Sequence, residues 1–317
     1  MSPGPPSTVR LRRIRATIPG RRSSRPRMQI FAYPARAALA IEGPDRESFL
    51  QGQLTQDVQG LEPGRAPLSA LLTPQGRALA IARLVPLPDS IALIVPAETA
   101  AALKAHLSRY VLRAKAKVTL PGDALALAAV VEDRPGEVAA HFGALPVGRH
   151  RALGGGTTLV RLAGGSWLLG PVSALGRHEN AATDVARWER GAIGAGEPIV
   201  YAATSERWTA QMLNLDRLEA ISFTKGCYTG QEIVARTQHL GRIKRRMFRY
   251  RASTFEAPPP GAPLLLGEER VGEVVRSAVA ADGAELLAVV NLDARSRELT
   301  TADGARLVEL PLPYPLA

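Results

Sequence analysis

ISFTKGCYTGQEIVART, residues 221–237, carries the only cysteine of the chain, and its reading decides how the rest is organised. Ile221–Phe223 has strand character, Gly226 and Gly230 bracket a tight turn, and the run from Thr229 to Arg236 opens a helix. Thr229-Gly-Gln-Glu232 has the spacing of a capping box, with Thr229 as N-cap and Glu232 reaching back to its amide. Cys227 then falls two residues before the cap, near the positive end of the helix dipole and beside Lys225, one of only five lysines. Both features favour a thiolate, so one expectation is a reactive cysteine. The other is a small buried side chain at a strand–helix junction, the usual place of a free cysteine. His239, twelve residues on, lies at the end of the same helix and is not marked as a base. One thiol holds neither zinc nor a cluster by itself, so no metal site is expected.

Working outward, the flanks read as an α+β protein. AALAIEG (37–43) is a buried strand and residues 43–54 a helix; LSALLTPQGRALAIARLVPL (68–87) is a hairpin turning at Thr-Pro-Gln-Gly. SIALIVP (90–96) is a strand, residues 97–112 form an amphipathic helix, and 116–121 close the unit. A similar order recurs with a strand at 124–131, a helix at 136–144, paired strands in TTLVRL and SWLLGP, and a helix from Ser173. Gly154–Gly156 lacks the Lys-Ser/Thr ending of a phosphate loop and reads as a hairpin connection. From Ile243 the chain is a series of short strands between Pro, Gly and Asp-Gly turns, the pattern of a small β-barrel. The expected division is an Arg-rich disordered leader over 1–27, a first α/β lobe over 28–122, a second over 123–242, and a C-terminal barrel over 243–317.

Charge sharpens this division. The formal net charge is +11, but residues 1–27 hold eight arginines and no acid, and without them 32 basic residues face 29 acidic ones. The body is only mildly basic. The leader has no apolar core, so it is not a secretory signal; it reads as a basic arm, an organellar transit peptide, or sequence upstream of a true start at Met28. A single cysteine excludes an internal disulfide and fits a reducing cytoplasm, and no apolar run approaches a membrane span. GRIKRRMFRY (241–250) is a candidate phosphate-contacting strip, although strand alternation would put Lys244 and Arg246 on one face and Arg245 and Arg249 on the other.

Lys225-Gly-Cys-Tyr-Thr-Gly-Gln-Glu232 resembles the signature of the YgfZ folate-binding family, relatives of the aminomethyltransferase (T-protein) of the glycine cleavage system. FLQGQLTQDV (49–58), residues 214–246 and the ending PLPYPLA are similar to further family segments, so the resemblance runs from about residue 36 to the end. It implies a cloverleaf of two related α/β lobes and a small barrel around a central channel that binds tetrahydrofolate. It also implies a role in folate-dependent assembly or repair of iron–sulfur clusters, including those of tRNA-modifying enzymes.

Carried to this chain, the resemblance makes Cys227 the functional thiol and Lys225 its basic partner, with Tyr228, Gln231, Glu232 and Arg236 completing the motif and Gln211 and Asn214 preceding it. Trp188 matches a tryptophan linked to folate, and an indole face stacks well on a pterin. The family's other folate tryptophan falls at Arg36, and Gly194 stands where T-proteins use a glutamate, with Glu197 three residues away. Where the T-proteins place an acid after the first hairpin turn, this chain has Leu79 and Ala80, which argues against aminomethyl transfer. The implied partners are folate, iron–sulfur client proteins and tRNA, with no membrane, for a monomer in the cytoplasm. The alternatives are a folate-dependent one-carbon transferase and a tRNA-contacting module.

Overall fold

Strands β1 to β6 and two helices follow from the first apolar runs. In this computed structural model, which describes residues 28–176, 182–239 and 241–316, they are Gln29–Ala32 (β1), Arg36–Glu42 (β2), Arg46–Gln51 (α1), Leu68–Leu72 (β3), Ala78–Pro86 (β4), Ser90–Pro96 (β5), Ala97–Ser108 (α2) and Lys117–Thr119 (β6). The leader expected over 1–27 lies outside the described residues. Five of the strands form one antiparallel sheet in the order β3-β4-β5-β2-β6. β5 is buried along all but its first residue, which suits an uninterrupted apolar and β-branched run. α2 stops four residues short of the expected 112, because the chain turns at Arg109–Tyr110 and Leu112 takes left-handed backbone, φ 41°.

The next block supplies Ala126–Val131 (β7), Glu137–Phe142 (α3), Arg149–Gly154 (β8), Thr157–Leu162 (β9), Gly165–Gly170 (β10), the single turn Val172–Leu175 (α4) and Ala182–Gly194 (α5). Its sheet, β1-β7-β10-β9-β8, is also antiparallel. Gly154–Gly156 turns β8 into β9 with φ positive at all three positions, a hairpin connection as expected. β1 crosses over: it pairs with β7, from Gln29–Val131 to Ala32–Ala128, and not with the sheet of β2 that follows it. Phe31, Tyr33, Ala38, Val85 and Ile94 pack with Leu127, Val160, Trp167 and Trp188 in one apolar cluster, so the first two sheets share a core.

After the helix Gln231–His239 (α6) the chain is all strand: Arg245–Ala252 (β11), Pro263–Leu266 (β12), Glu269–Ala280 (β13), Gly283–Asn291 (β14), Thr300–Thr301 (β15) and Leu307–Leu310 (β16). They form a six-stranded antiparallel sheet, β15-β12-β13-β14-β11-β16, curled so that its edges meet at a bridge between Thr300 and Arg306. The mainly irregular segment between α5 and α6 is the joint of the molecule. Its Trp208, Leu213, Leu215 and Ile221 are buried with Leu72 and Ile81 of the first sheet and Met247, Val275 and Leu287 of the third. No described helix is long and apolar enough to cross a membrane.

Candidate functional site

The 221–237 stretch is built onto the first sheet's short helix. The N–H of Ser222 donates to Thr55 O at 2.9 Å and that of Thr229 to Gly52 O at 3.4 Å. From the other side, the Thr55 hydroxyl donates to Ala220 O at 2.7 Å and Gln56 Nε2 to Glu219 O at 2.7 Å. Between them runs Lys225, half-buried, whose ammonium donates to the carbonyls of Gln51, Leu54 and Gln56 at 2.6, 2.8 and 2.7 Å. An ammonium has three protons, so all three are used. These carbonyls lie at and just past the C-terminus of α1, where a helix leaves acceptors unpaired and its dipole favours a cation. Burial pushes Lys225 down to about 8, with Asp57 opposing the shift. Its Nζ also lies 5.1 Å from the centre of the Tyr228 ring, which is buried, and whose hydroxyl burial pushes up to about 12.

Within this seam the tip stays outside. Cys227 is exposed, as are Gly226 and Phe223, the last 44% accessible. The buried alternative for the thiol is therefore excluded. The helix that follows starts differently from expectation: the Gln231 side-chain oxygen accepts the N–H of Tyr228 at 3.1 Å, while Glu232 is exposed and pairs with Arg236 one turn on at 3.3 Å. Glu232 thus extends α6's own surface, and Gln231 does the capping, because Gly230 takes a left-handed turn (φ 84°) that starts the helix one residue later. A Cβ on Gly230 would stand 2.5 Å from the Thr73 carbonyl, so only glycine lets α6 sit on the β3–β4 turn.

Gln211 and Asn214, expected at the ligand, are wholly buried. Gln211 Nε2 donates to Val234 O of α6 at 2.8 Å, and Asn214, held at φ 56°, donates to Met247 O of β11 at 2.7 Å. Both meet Arg246, which donates to Gln211 O and Asn214 Oδ1 and grips Asp216 through two bonds of 2.9 and 2.8 Å. Arg246 and Asp216 are 6% and 7% exposed, so the candidate basic strip over 241–250, read by default as a solvated barrel strand, is broken at its centre by a buried ion pair. Arg249 is likewise paired, with Glu285 at 2.6 Å.

Trp188 also faces inward. It is 2% exposed, with Tyr33 against it at 5.7 Å and Trp167 at 5.8 Å between ring centres. Its indole N–H finds no acceptor among the described residues. One residue on, Glu189 pairs with Arg276 of β13 at 2.5 Å and accepts the Tyr33 hydroxyl. Burial alone would raise the Glu189 carboxyl, but Arg276 and Arg36, with the hydrogen bonds from Arg276 and Tyr33, hold it below the ordinary carboxylate range. The helix α5 is thereby fixed to the third sheet, and Arg36 contributes charge where the resemblance led us to compare a ring.

A cavity of about 450 Å³ is lined by Arg65, Arg83, Arg149, Glu219, Leu68 and Val147 among others. Arg83 is its buried arginine: it donates to Ala66 O at 3.0 Å and pairs with Glu197 at 2.5 Å, while its Nε has no acceptor among the described residues. None of these arginines was singled out in the sequence. Arg83 left a signal, a lone charge inside the apolar strand ALAIARLVP, where a charged side chain stays buried only when paired.

No protein-family model matches the chain. It is 31% identical over 299 residues to the tRNA-modifying protein YgfZ of Serratia proteamaculans, covering 89% of this chain and 91% of that protein. The tRNA-modifying protein YgfZ of Cronobacter sakazakii is also 31% identical, over 306 residues and 88% and 91% of the two chains. Among solved structures, glycine cleavage system aminomethyltransferase T from Bartonella henselae superposes with a TM-score of 0.71 at 19% identity, over 90% of this chain and 86% of that one. The fold is thus that of an aminomethyltransferase, and with relatives this similar over nearly their whole length, the chain belongs to the YgfZ family.

Proposed function

We propose that the protein binds tetrahydrofolate and acts as an accessory factor in the assembly or repair of iron–sulfur clusters, including those of tRNA-modifying enzymes, as a cytoplasmic monomer. The observation that carries this reading is the seam between residues 219–229 and 52–56, which holds an exposed thiol at the tip of a fixed loop. A structural cysteine needs no such setting. In this reading Cys227 acts on the client, and Lys225 fixes the loop to α1. The names of the YgfZ relatives, with tRNA modification in them, and the aminomethyltransferase fold agree with it.

The residues present fit a folate. A cavity of about 450 Å³ is within the roughly 300–1,000 Å³ usual for small-molecule sites, and the buried Arg83 retains a donor without a partner. Arg65, Arg83 and Arg149 would hold the ligand. Tetrahydrofolate, when bound, carries one-carbon units. Trp188, Gln211 and Asn214 are buried candidate folate contacts, and Trp188 Nε1 and Gln211 Oε1 have no partner among the described residues. We also propose the division 28–122, 123–242 and 243–317, with β1 reaching across from the first part to the second sheet.

The one-carbon transferase reading is weaker, because the stretch of β4 where T-proteins carry an acid offers Leu79 and Ala80. The tRNA-contacting reading has one observation in its favour: Arg242, Lys244 and Arg245 are exposed and have no ion pair among the described residues. The test is restoration of an iron–sulfur tRNA-thiolating enzyme in cells lacking their own family member. Wild type should restore its activity and lose that ability when cellular folate is depleted. Restoration that is indifferent to folate would remove the cofactor from the account.

A further inference from the structure

Leu112 is the most exposed large apolar side chain among the described residues, at 86%, and its backbone is held at φ 41°, a conformation that strains any residue but glycine. The turn that carries it closes with the Ala114 N–H on Val111 O at 2.7 Å, and Val111 packs on the core of the first sheet while Leu112 stands in solvent. Tyr110 beside it is 46% exposed. Residues 104–117 also hold five cations, Lys104, Arg109, Arg113, Lys115 and Lys117, and no acid. All five are exposed, and none has an ion pair among the described residues. Cations beside an open sheet edge usually guard it against pairing, and Lys117 on the edge strand β6 serves that end. A leucine and a tyrosine in solvent do not. The base of this loop is fixed. The Lys115 N–H donates to Asp45 Oδ2 at 2.7 Å and the Asp45 N–H to Lys115 O at 3.3 Å. A Cβ on Gly43 would stand 2.2 Å from that carbonyl, so only a glycine lets the chain pass here. Asp45 opens α1, and the carbonyls that hold Lys225 lie at and past its other end. At about 1.5 Å per residue the six residues of α1 span about 9 Å, so the two loops are anchored close together.

We propose that residues 109–117 form the docking surface for the client protein, with Leu112 entering an apolar pocket on the client and the surrounding cations meeting an acidic rim. The inference rests on the client reading above and adds where the client lands. An apolar centre within a charged rim is the usual build of a protein interface, and Tyr and Arg are enriched in it. A nucleic acid would use the cations and a flat ring, but Leu112 has no π-face, and the His106 ring lies against Tyr110 with 5.1 Å between centres. An interface of ordinary size, about 800 Å² on each partner, is wide enough to cover both ends of α1. A client seated here therefore lies beside the Cys227 loop.

The experiment measures binding of the full chain to the purified, RNA-free iron–sulfur tRNA-thiolating enzyme of the restoration test, for wild type, Leu112→Gly, Arg113→Glu and the double variant. Leu112→Gly suits the left-handed backbone and removes no packing, so its urea midpoint should equal or exceed that of wild type, and a loss of binding is then not a loss of folding. Each single variant should weaken binding by about tenfold or more. The Arg113→Glu effect should shrink as salt rises while the Leu112→Gly effect persists. The double variant should fail to restore the enzyme in cells. Wild type that restores the enzyme without binding it, or variants that bind and restore as well as wild type, would overturn the docking surface and leave the client reading standing. Variants that keep their affinity for the enzyme but lose it for tRNA or for phosphatidylglycerol vesicles would overturn it in favour of those surfaces. Wild type that neither binds nor restores the enzyme would overturn the client reading and the docking surface together.

Discussion

Two parts of one segment, residues 211–216 and 223–227, are used in opposite ways. Gln211, Asn214 and Asp216 are buried and gathered around Arg246, where they join α6 and β11. Phe223, Gly226 and Cys227 project from a loop whose base is fixed but whose tip is not covered. Polar residues in a motif are therefore not all ligand contacts. Some build the joint that lets the others be presented.

The sharpest way to break this comparison is to remove one member of each group. Asp216→Ala leaves Arg246 as an uncompensated buried charge and should cost about 3–5 kcal/mol in urea unfolding. Cys227→Ala removes an exposed side chain and should stay within about 0.5 kcal/mol of wild type. Similar losses at both positions would erase the distinction. A smaller effect is expected at Gly230→Ala, where a left-handed backbone and the Thr73 carbonyl both oppose a methyl group. About 1–3 kcal/mol should be lost, seen as a lower urea midpoint with an unchanged slope.

Lys225 gives a pH signature. Its folded pKa, about 8, is below the ordinary lysine value of 10.5, so between these pH values the unfolded chain binds more protons than the folded one. Stability contributed by this group is fully present above 10.5 and is lost as pH falls through 8. The deficit of Lys225→Met relative to wild type should therefore widen from pH 7.5 to 9.5, a trend read from paired urea curves. A deficit that narrows over this range would show that the three carbonyls hold the ammonium more strongly than burial opposes it.

Much of the fold could be read in advance because its signals are local. The hairpin at Thr73–Gly76, the apolar run of β5 and the three glycines before β9 each fix their own turn or strand. β1 was missed because QIFA is four residues long and is held only by β7, about a hundred residues away. β8, RHRALG, lacks an apolar face and becomes a strand by edge pairing with β9. In the site, the turn and the helix were legible from spacing, whereas the exposure of Cys227 was open between two alternatives. The target of Lys225 was not, since its three acceptors are backbone carbonyls, which leave no mark in sequence. The burial of Trp188 on α5 depended on Tyr33, just past β1, and Trp167 of β10, both distant in sequence.

The central claim is an uncovered thiol on a loop with a fixed base, and the single cysteine makes it directly measurable. Native protein would be labelled with an aromatic disulfide reagent while hydrogen exchange is followed at the Ser222 and Thr229 amides, with the urea-unfolded chain as reference. The account predicts labelling of Cys227 within about tenfold of the unfolded rate, together with strong protection of both amides. A thiol shielded by several orders of magnitude, or amides that exchange as fast as those of a free loop, would contradict it.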